Sequence, residues 1–148
     1  MRDTYDREID YMRISVTNRC NFRCKYCMPD IKKQEEPLSL DEIYEVVLAA
    51  SQCGITKFKI TGGEPLVREG IVDFIRKIGN IKDIKDITMT TNGFYISKYA
   101  KDLKEAGVSS VNISLDSLNR EKFRDITGVD ALPDVIEGIN ACAKAGLK

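Results

Sequence analysis

Hydrophobic and polar positions change period along this chain, and the changes mark its elements. Around residues 11–17, 57–61, 86–91 and 109–115, apolar and polar side chains alternate with the two-residue period of a strand. Over 40–53, 71–78, 97–106 and about 132–145, apolar residues recur every three or four positions, the stripe of an amphipathic helix. Ser39 ahead of Leu40, with Glu42 three positions on, predicts a capping box. Gly54 and Gly107 stand where helices end, each followed at once by a strand. Strand and helix alternating at this rhythm predict right-handed βαβ units, a parallel sheet and an α/β fold.

The strands carry a second message. Parallel strands covered on both faces read as continuous apolar runs, and these do not. One face is apolar (Ile14, Val16; Phe58, Ile60; Ile87, Met89; Val111, Ile113, Leu115). The other is polar (Arg13, Ser15, Thr17; Lys57, Lys59, Thr61; Thr88, Thr90, Asn92; Asn112, Ser114, Asp116). An antiparallel sheet with one wet face reads the same way, but the intervening helices favour parallel strands. The pattern therefore predicts a sheet curling toward a partial (β/α) barrel, helices outside, a polar concave face inside, and ligands at the C-terminal strand ends. Gly146-Leu147-Lys148 reads as a helix cap followed by the start of another strand. Four βα units with an open edge predict that residues 1–148 are the front part of a longer domain.

Composition narrows the chemistry. The 148 residues suffice for one domain. Lys plus Arg and Asp plus Glu both number 23, so no overall charge favours nucleic acid or an anionic membrane. The polar N-terminus is not a secretory signal and no apolar run is long enough to span a bilayer. A cytoplasmic setting is expected, in which five cysteines point to metal binding or catalysis before disulfides. Histidine is absent, which excludes Ser-His and Cys-His nucleophile pairs and histidine-containing zinc sites.

Three of the cysteines fall in Cys20-Asn21-Phe22-Arg23-Cys24-Lys25-Tyr26-Cys27-Met28-Pro29, after the first predicted strand. Three soft thiolates on one loop suit an iron–sulfur cluster or zinc. A four-iron cluster on three cysteines keeps one iron open for a ligand, as catalytic metal sites do. A structural zinc needs a fourth ligand, water or Cys53, and that alternative stays open. Cys53 and Cys142 are expected to be buried free thiols.

The spacing of Cys20, Cys24 and Cys27, with Tyr26 before the third, resembles the motif of the radical S-adenosylmethionine (radical SAM) superfamily. Thr61-Gly62-Gly63-Glu64-Pro65, after the second strand, resembles the glycine-rich segment that meets the methionyl end of its cofactor. Glycines there would let the backbone approach a ligand, with Glu64 as an anion near an ammonium group. The stretches Tyr11 to Pro29, Lys59 to Arg68, Thr90 to Gly93 and Val111 to Leu118 are similar, in order, to the opening of the GTP 3′,8-cyclase family of molybdenum cofactor biosynthesis.

That resemblance implies a truncated radical SAM core and a lyase. Its reduced [4Fe-4S] cluster, on Cys20, Cys24 and Cys27, would cleave S-adenosylmethionine to a 5′-deoxyadenosyl radical that converts GTP to 3′,8-cyclo-7,8-dihydro-GTP. It matches Tyr26, Gly63 and Ser114 to cofactor contacts, and Arg13, Lys59 and Thr90 to GTP contacts. It also implies an electron-donor protein, and a second [4Fe-4S] cluster in a C-terminal region beyond this chain, so that residues 1–148 alone would not cyclise GTP. Lys59 stands where the family usually has arginine, a point charge in place of a bidentate fork. Asn18 replaces a commoner aspartate, and Tyr5-Asp6 a commoner Phe-Gly. Two other readings remain: a radical SAM enzyme that modifies peptides, and a non-catalytic zinc-binding module.

Overall fold

A computed structural model describes residues 2, 4–27 and 38–148. Four strands, β1 (Tyr11–Ser15), β2 (Lys57–Thr61), β3 (Asp86–Thr91) and β4 (Val108–Ile113), form one parallel sheet in the order β1-β2-β3-β4. Helices α1 (Leu40–Gln52), α2 (Ile71–Gly79) and α3 (Ile96–Glu105) lie between consecutive strands, followed after β4 by α4 (Arg120–Thr127) and α5 (Leu132–Ala145). Two strands keep their predicted bounds. β1 stops two residues short of 17, and β4 is shifted to begin at Val108 and end at Ile113.

The two-faced strand pattern is the physical basis of the fold. Ile14, Phe58, Ile60, Ile87 and Met89 are buried against apolar stripes of the helices: Ile43 and Val47 of α1, Ile71, Phe74, Ile75 and Ile78 of α2, and Ile96, Ala100 and Leu103 of α3. In-register partners put Arg13, Lys59, Thr88 and Ser110 in one row on the opposite face. Thr90 and Asn112 are partners in the next row toward the C-terminal strand ends.

The local signals act as their chemistry predicts. Ser39 Oγ accepts from Glu42 N at 3.2 Å, and Glu42 returns a carboxylate to Ser39 N at 2.7 Å. Gly54 and Gly107 follow their helices at φ 93° and 101°. After Gly146 the chain turns back beside β4: Val111 N donates to Lys148 O at 2.8 Å and Lys148 N to Ser109 O at 3.3 Å, the bonds of a further parallel neighbour.

Two elements differ from the sequence pattern. The 3-10 turn Pro65–Val67 was not predicted, and neither was α4, whose eight residues bury only Phe123 and Thr127. Helix α4 is set by its ends instead: the Asn119 side chain accepts from Lys122 N, and Gly128 closes it in the left-handed region. It completes a second small core, Phe22, Phe123, Ala131, Leu132 and Val135, under the cysteine loop.

Helix α5 crosses α3 at Gly138. A Cβ there would lie 2.6 Å from Ile96 Cγ2 and 2.7 Å from the Gly93 carbonyl oxygen. Alanine normally favours a helix over glycine by about 1 kcal/mol. Gly138→Ala is expected to reverse that sign and destabilise the protein by about 1–3 kcal/mol through overpacking, read by urea unfolding. A more stable variant would show that α5 does not seat on Gly93.

Candidate metal and cofactor site

The site is built where β1 and β2 run out. Val16 N donates to Thr61 O at 2.9 Å, Gly63 N to Thr17 O at 2.8 Å and Glu64 N to Arg19 O at 2.8 Å, zipping the Gly62-Gly63-Glu64 turn onto the stem of the cysteine loop. A Cβ at Gly63 would overlap the Arg19 carbonyl, and one at Gly62 would lie 2.7 Å from the Thr17 carbonyl oxygen. The close approach that requires glycine is therefore to the chain's own backbone.

The loop's other flank rests on the end of α4, with Arg23 N donating to Thr127 O at 2.8 Å and Lys25 N to Ile126 O at 2.9 Å. Phe22 anchors it, its ring edge-on to Phe94 and Phe123 at centroid distances of 6.1 and 6.0 Å. A turn closed by Cys27 N to Cys24 O (3.0 Å) brings the second and third cysteines together. Met28 and Pro29, the end of the motif, lie outside the described residues.

Cys20, Cys24 and Cys27 line one cavity of about 180 Å³ at the C-terminal strand ends, and Tyr26, Gly63, Thr90 and Ser114 line it with them. Seven of the nine expected site residues thus converge. Arg13 and Lys59 do not line this cavity. They are register partners farther back on the same polar face, where Lys59 Nζ donates to Asn112 Oδ1 at 2.7 Å. A larger cleft of about 440 Å³ on the loop's outer side reaches only one of the three thiols, Cys20.

Asp116, which sequence reasoning placed on the polar face without a role, bridges the cavity mouth by accepting from Tyr26 Oη at 3.1 Å. Partial burial and that hydrogen bond push the Tyr26 phenol above its ordinary value, although its side is open to solvent. Burial raises the Cys20 and Cys24 thiols as well. Cys20 is drawn partly back by Phe22 N at 3.4 Å and Asn92 Nδ2 at 3.8 Å, Cys24 by a hydrogen bond with Tyr26.

Glu64 does not do what its motif suggested. It is fully buried and absent from the cavity wall. Its carboxylate accepts from Leu66 N (3.1 Å), Thr91 Oγ1 (2.8 Å) and Asn92 N (2.6 Å), tying the turn after β2 to the end of β3. Burial raises its pKa against the effect of those three donors.

Among the described residues, no three His, Cys, Asp or Glu side chains are placed to hold a single metal ion. A four-iron cluster asks for less convergence, because each thiolate takes a different iron. Cys53 cannot serve as a fourth ligand. Contrary to expectation it is exposed, capping α1 ahead of β2, so a whole strand of roughly 15 Å separates it from the loop. Its predicted burial fails because the last apolar contact of α1 is made by Ala50, and position 53 turns outward. Cys142 is buried in the main core, as predicted. The three loop thiols fit a cluster, with no cysteine at hand to close its fourth corner.

Compared with known proteins, residues 14–148 match the model of the Radical SAM superfamily. The chain belongs to the radical SAM superfamily. A GTP 3′,8-cyclase of Alkaliphilus oremlandii is 55% identical over 151 residues, covering 99% of this chain and 47% of that protein. One from Thermodesulfovibrio yellowstonii is 51% identical over 153 residues, covering 100% and 48%. This radical SAM chain therefore spans about half the length of the curated relatives it matches. In fold it is similar to Streptococcus suis SuiB bound to S-adenosylmethionine (TM-score 0.81, 21% identity, 94% of this chain and 32% of that one). It is likewise similar to anSMEcpe with bound AdoMet and a peptide (TM-score 0.74, 22% identity, 93% and 41%). The predicted α/β fold with a parallel sheet of radical SAM type is thereby established. No described helix is long and apolar enough to cross a membrane.

Removing Glu64 strands buried donors, so Glu64→Ala is expected to cost about 2–4 kcal/mol. Its pH dependence has a definite sign. Burial holds the folded carboxyl's pKa above that of the unfolded chain, which is about 4.3. Glu64's contribution is thus fully present below that pH and is lost as pH rises through the folded value. Unfolding free energies of wild type minus Glu64→Gln should fall from pH 4 toward neutrality; a difference that grows with pH contradicts the burial argument.

Proposed function

We propose that this chain is the cluster-bearing front part of a GTP 3′,8-cyclase, the lyase that begins molybdenum cofactor synthesis. One observation carries the reading: three cysteines, Gly63 and Ser114 face one cavity at the C-terminal edge of a parallel sheet, in a chain about half identical to enzymes of that name. Cys20, Cys24 and Cys27 would hold a [4Fe-4S] cluster, leaving one iron without a protein ligand. When bound, the cluster supplies the electron that splits S-adenosylmethionine reductively, giving the 5′-deoxyadenosyl radical that starts the conversion of GTP to 3′,8-cyclo-7,8-dihydro-GTP.

The chain's own residues bind and orient. The backbone of Gly62 and Gly63, rather than the buried Glu64 carboxylate, would hold the amino-acid end of S-adenosylmethionine, and Ser114 and Tyr26, on the same cavity wall, would offer it hydroxyl partners. Arg13 and Lys59 offer adjacent positive charges to the triphosphate, with Thr90 between them and the cavity as a hydroxyl partner. Lys59, steadied by Asn112, supplies a point charge where an arginine fork would grip two oxygens. The electron-donor protein and the second cluster belong to the whole enzyme, in a reducing cytoplasmic setting that suits free thiols.

In the full-length protein, reduced and given S-adenosylmethionine, 5′-deoxyadenosine formation should depend on GTP. Cys20→Ala, Cys24→Ala and Cys27→Ala should each bring it to background. Cleavage that responds to a peptide and not to GTP would overturn the substrate assignment. Residues 1–148 alone should give no cyclised product. Lys59→Ala should raise the KM for GTP about 10- to 100-fold, the worth of one charge-assisted contact, while Lys59→Arg keeps it near wild type; an unchanged KM in Lys59→Ala would remove Lys59 from the phosphate site.

A further inference from the structure

Asn92, just after β3, uses its backbone N–H and both ends of its side-chain amide. Its backbone N–H donates to Glu64 Oε2 at 2.6 Å, and its side-chain oxygen accepts from Phe94 N at 3.0 Å. Its side-chain amide donates to Asn21 Oδ1 at 2.8 Å and reaches Cys20 Sγ at 3.8 Å. The orientation is over-determined. Turning the amide over would set its N–H₂ against the Phe94 N–H and its oxygen against the Asn21 oxygen. Glu64 fixes the residue from behind, itself pinned by Thr91 and Leu66. A second donor, Phe22 N, meets the same sulfur at 3.4 Å.

We propose that Asn92, held by Glu64, is the positioning residue of cluster ligand Cys20: its amide aims the sulfur into the cavity and raises the reduction potential of the bound cluster. This rests on the reading of Cys20 as a ligand. The physical reason is general. A hydrogen bond to a ligating sulfur withdraws electron density from the iron–sulfur unit and so favours its reduced form.

The test uses the full-length protein reconstituted anaerobically with iron and sulfide, with the midpoint potential read by EPR-monitored titration and the Fe–S(Cys) stretch by resonance Raman. Asn92→Leu removes the donor without adding charge; Asn92→Asp keeps the acceptor for Phe94 and removes the donor. Both should assemble a cluster with a more negative potential and a stiffer Fe–S(Cys) stretch than wild type. Wild-type potential and stretch in either assembled variant would overturn the proposal. Failure of both variants to hold a cluster that wild type holds would also overturn it, leaving Asn92 a folding residue only. A wild-type protein that forms no cluster would instead sink the reading of the three cysteines, so the two failures are distinguishable.

Discussion

The structure depends on a backbone contact with no side chain to mediate it, the lateral zipping of residues 62–64 onto residues 17–19. It works only because positions 62 and 63 carry no Cβ. The same contact continues the β1–β2 ladder past the end of the sheet and carries the cysteine loop to the C-terminal strand ends. By its resemblance, the motif implied a ligand-facing surface. Here it is first a joint between two loops, and it faces a ligand because the joint lies on the cavity wall.

Behind the joint, a buried carboxylate does the bracing. Glu64 turns both its oxygens onto donors at the ends of neighbouring elements, which offsets part of the desolvation penalty of a buried carboxyl group. The site is thus supported in layers: helices on the apolar face of the sheet, Glu64 and Asn92 between strand ends, and thiols and cations toward the polar face. The loop and turn residues among them are tied by hydrogen bonds to the strand and helix ends beside them, which holds them in place.

Much of this was legible in the sequence because it follows from periodicity. The alternation of Phe58, Ile60, Ile87 and Met89 with lysines and threonines told which face stays polar, and the helical stripes between the strands told that the sheet is parallel. Ser39 and Glu42 announced a helix start by chemistry alone. Helix α4 escaped because a short, charged segment with one large apolar anchor, Phe123, has no stripe to read; the Asn119 and Gly128 caps were its only signals. The burial of Glu64 was likewise unreadable, since a motif's residue types do not say which way a side chain turns. The fates of Cys53 and Cys142 divided on helix phase: one lies past the apolar stripe of α1, the other within that of α5.

On the reading proposed above, three thiolates hold a four-iron cluster and leave one corner open. The most direct measurement is the EPR spectrum of the reduced, anaerobically purified full-length protein, with iron and acid-labile sulfide counted in the same sample, before and after adding S-adenosylmethionine. An open corner should give a [4Fe-4S]⁺ signal that changes shape on addition. A protein carrying zinc on all three thiolates, or a cluster whose signal is indifferent to the cofactor, would contradict it.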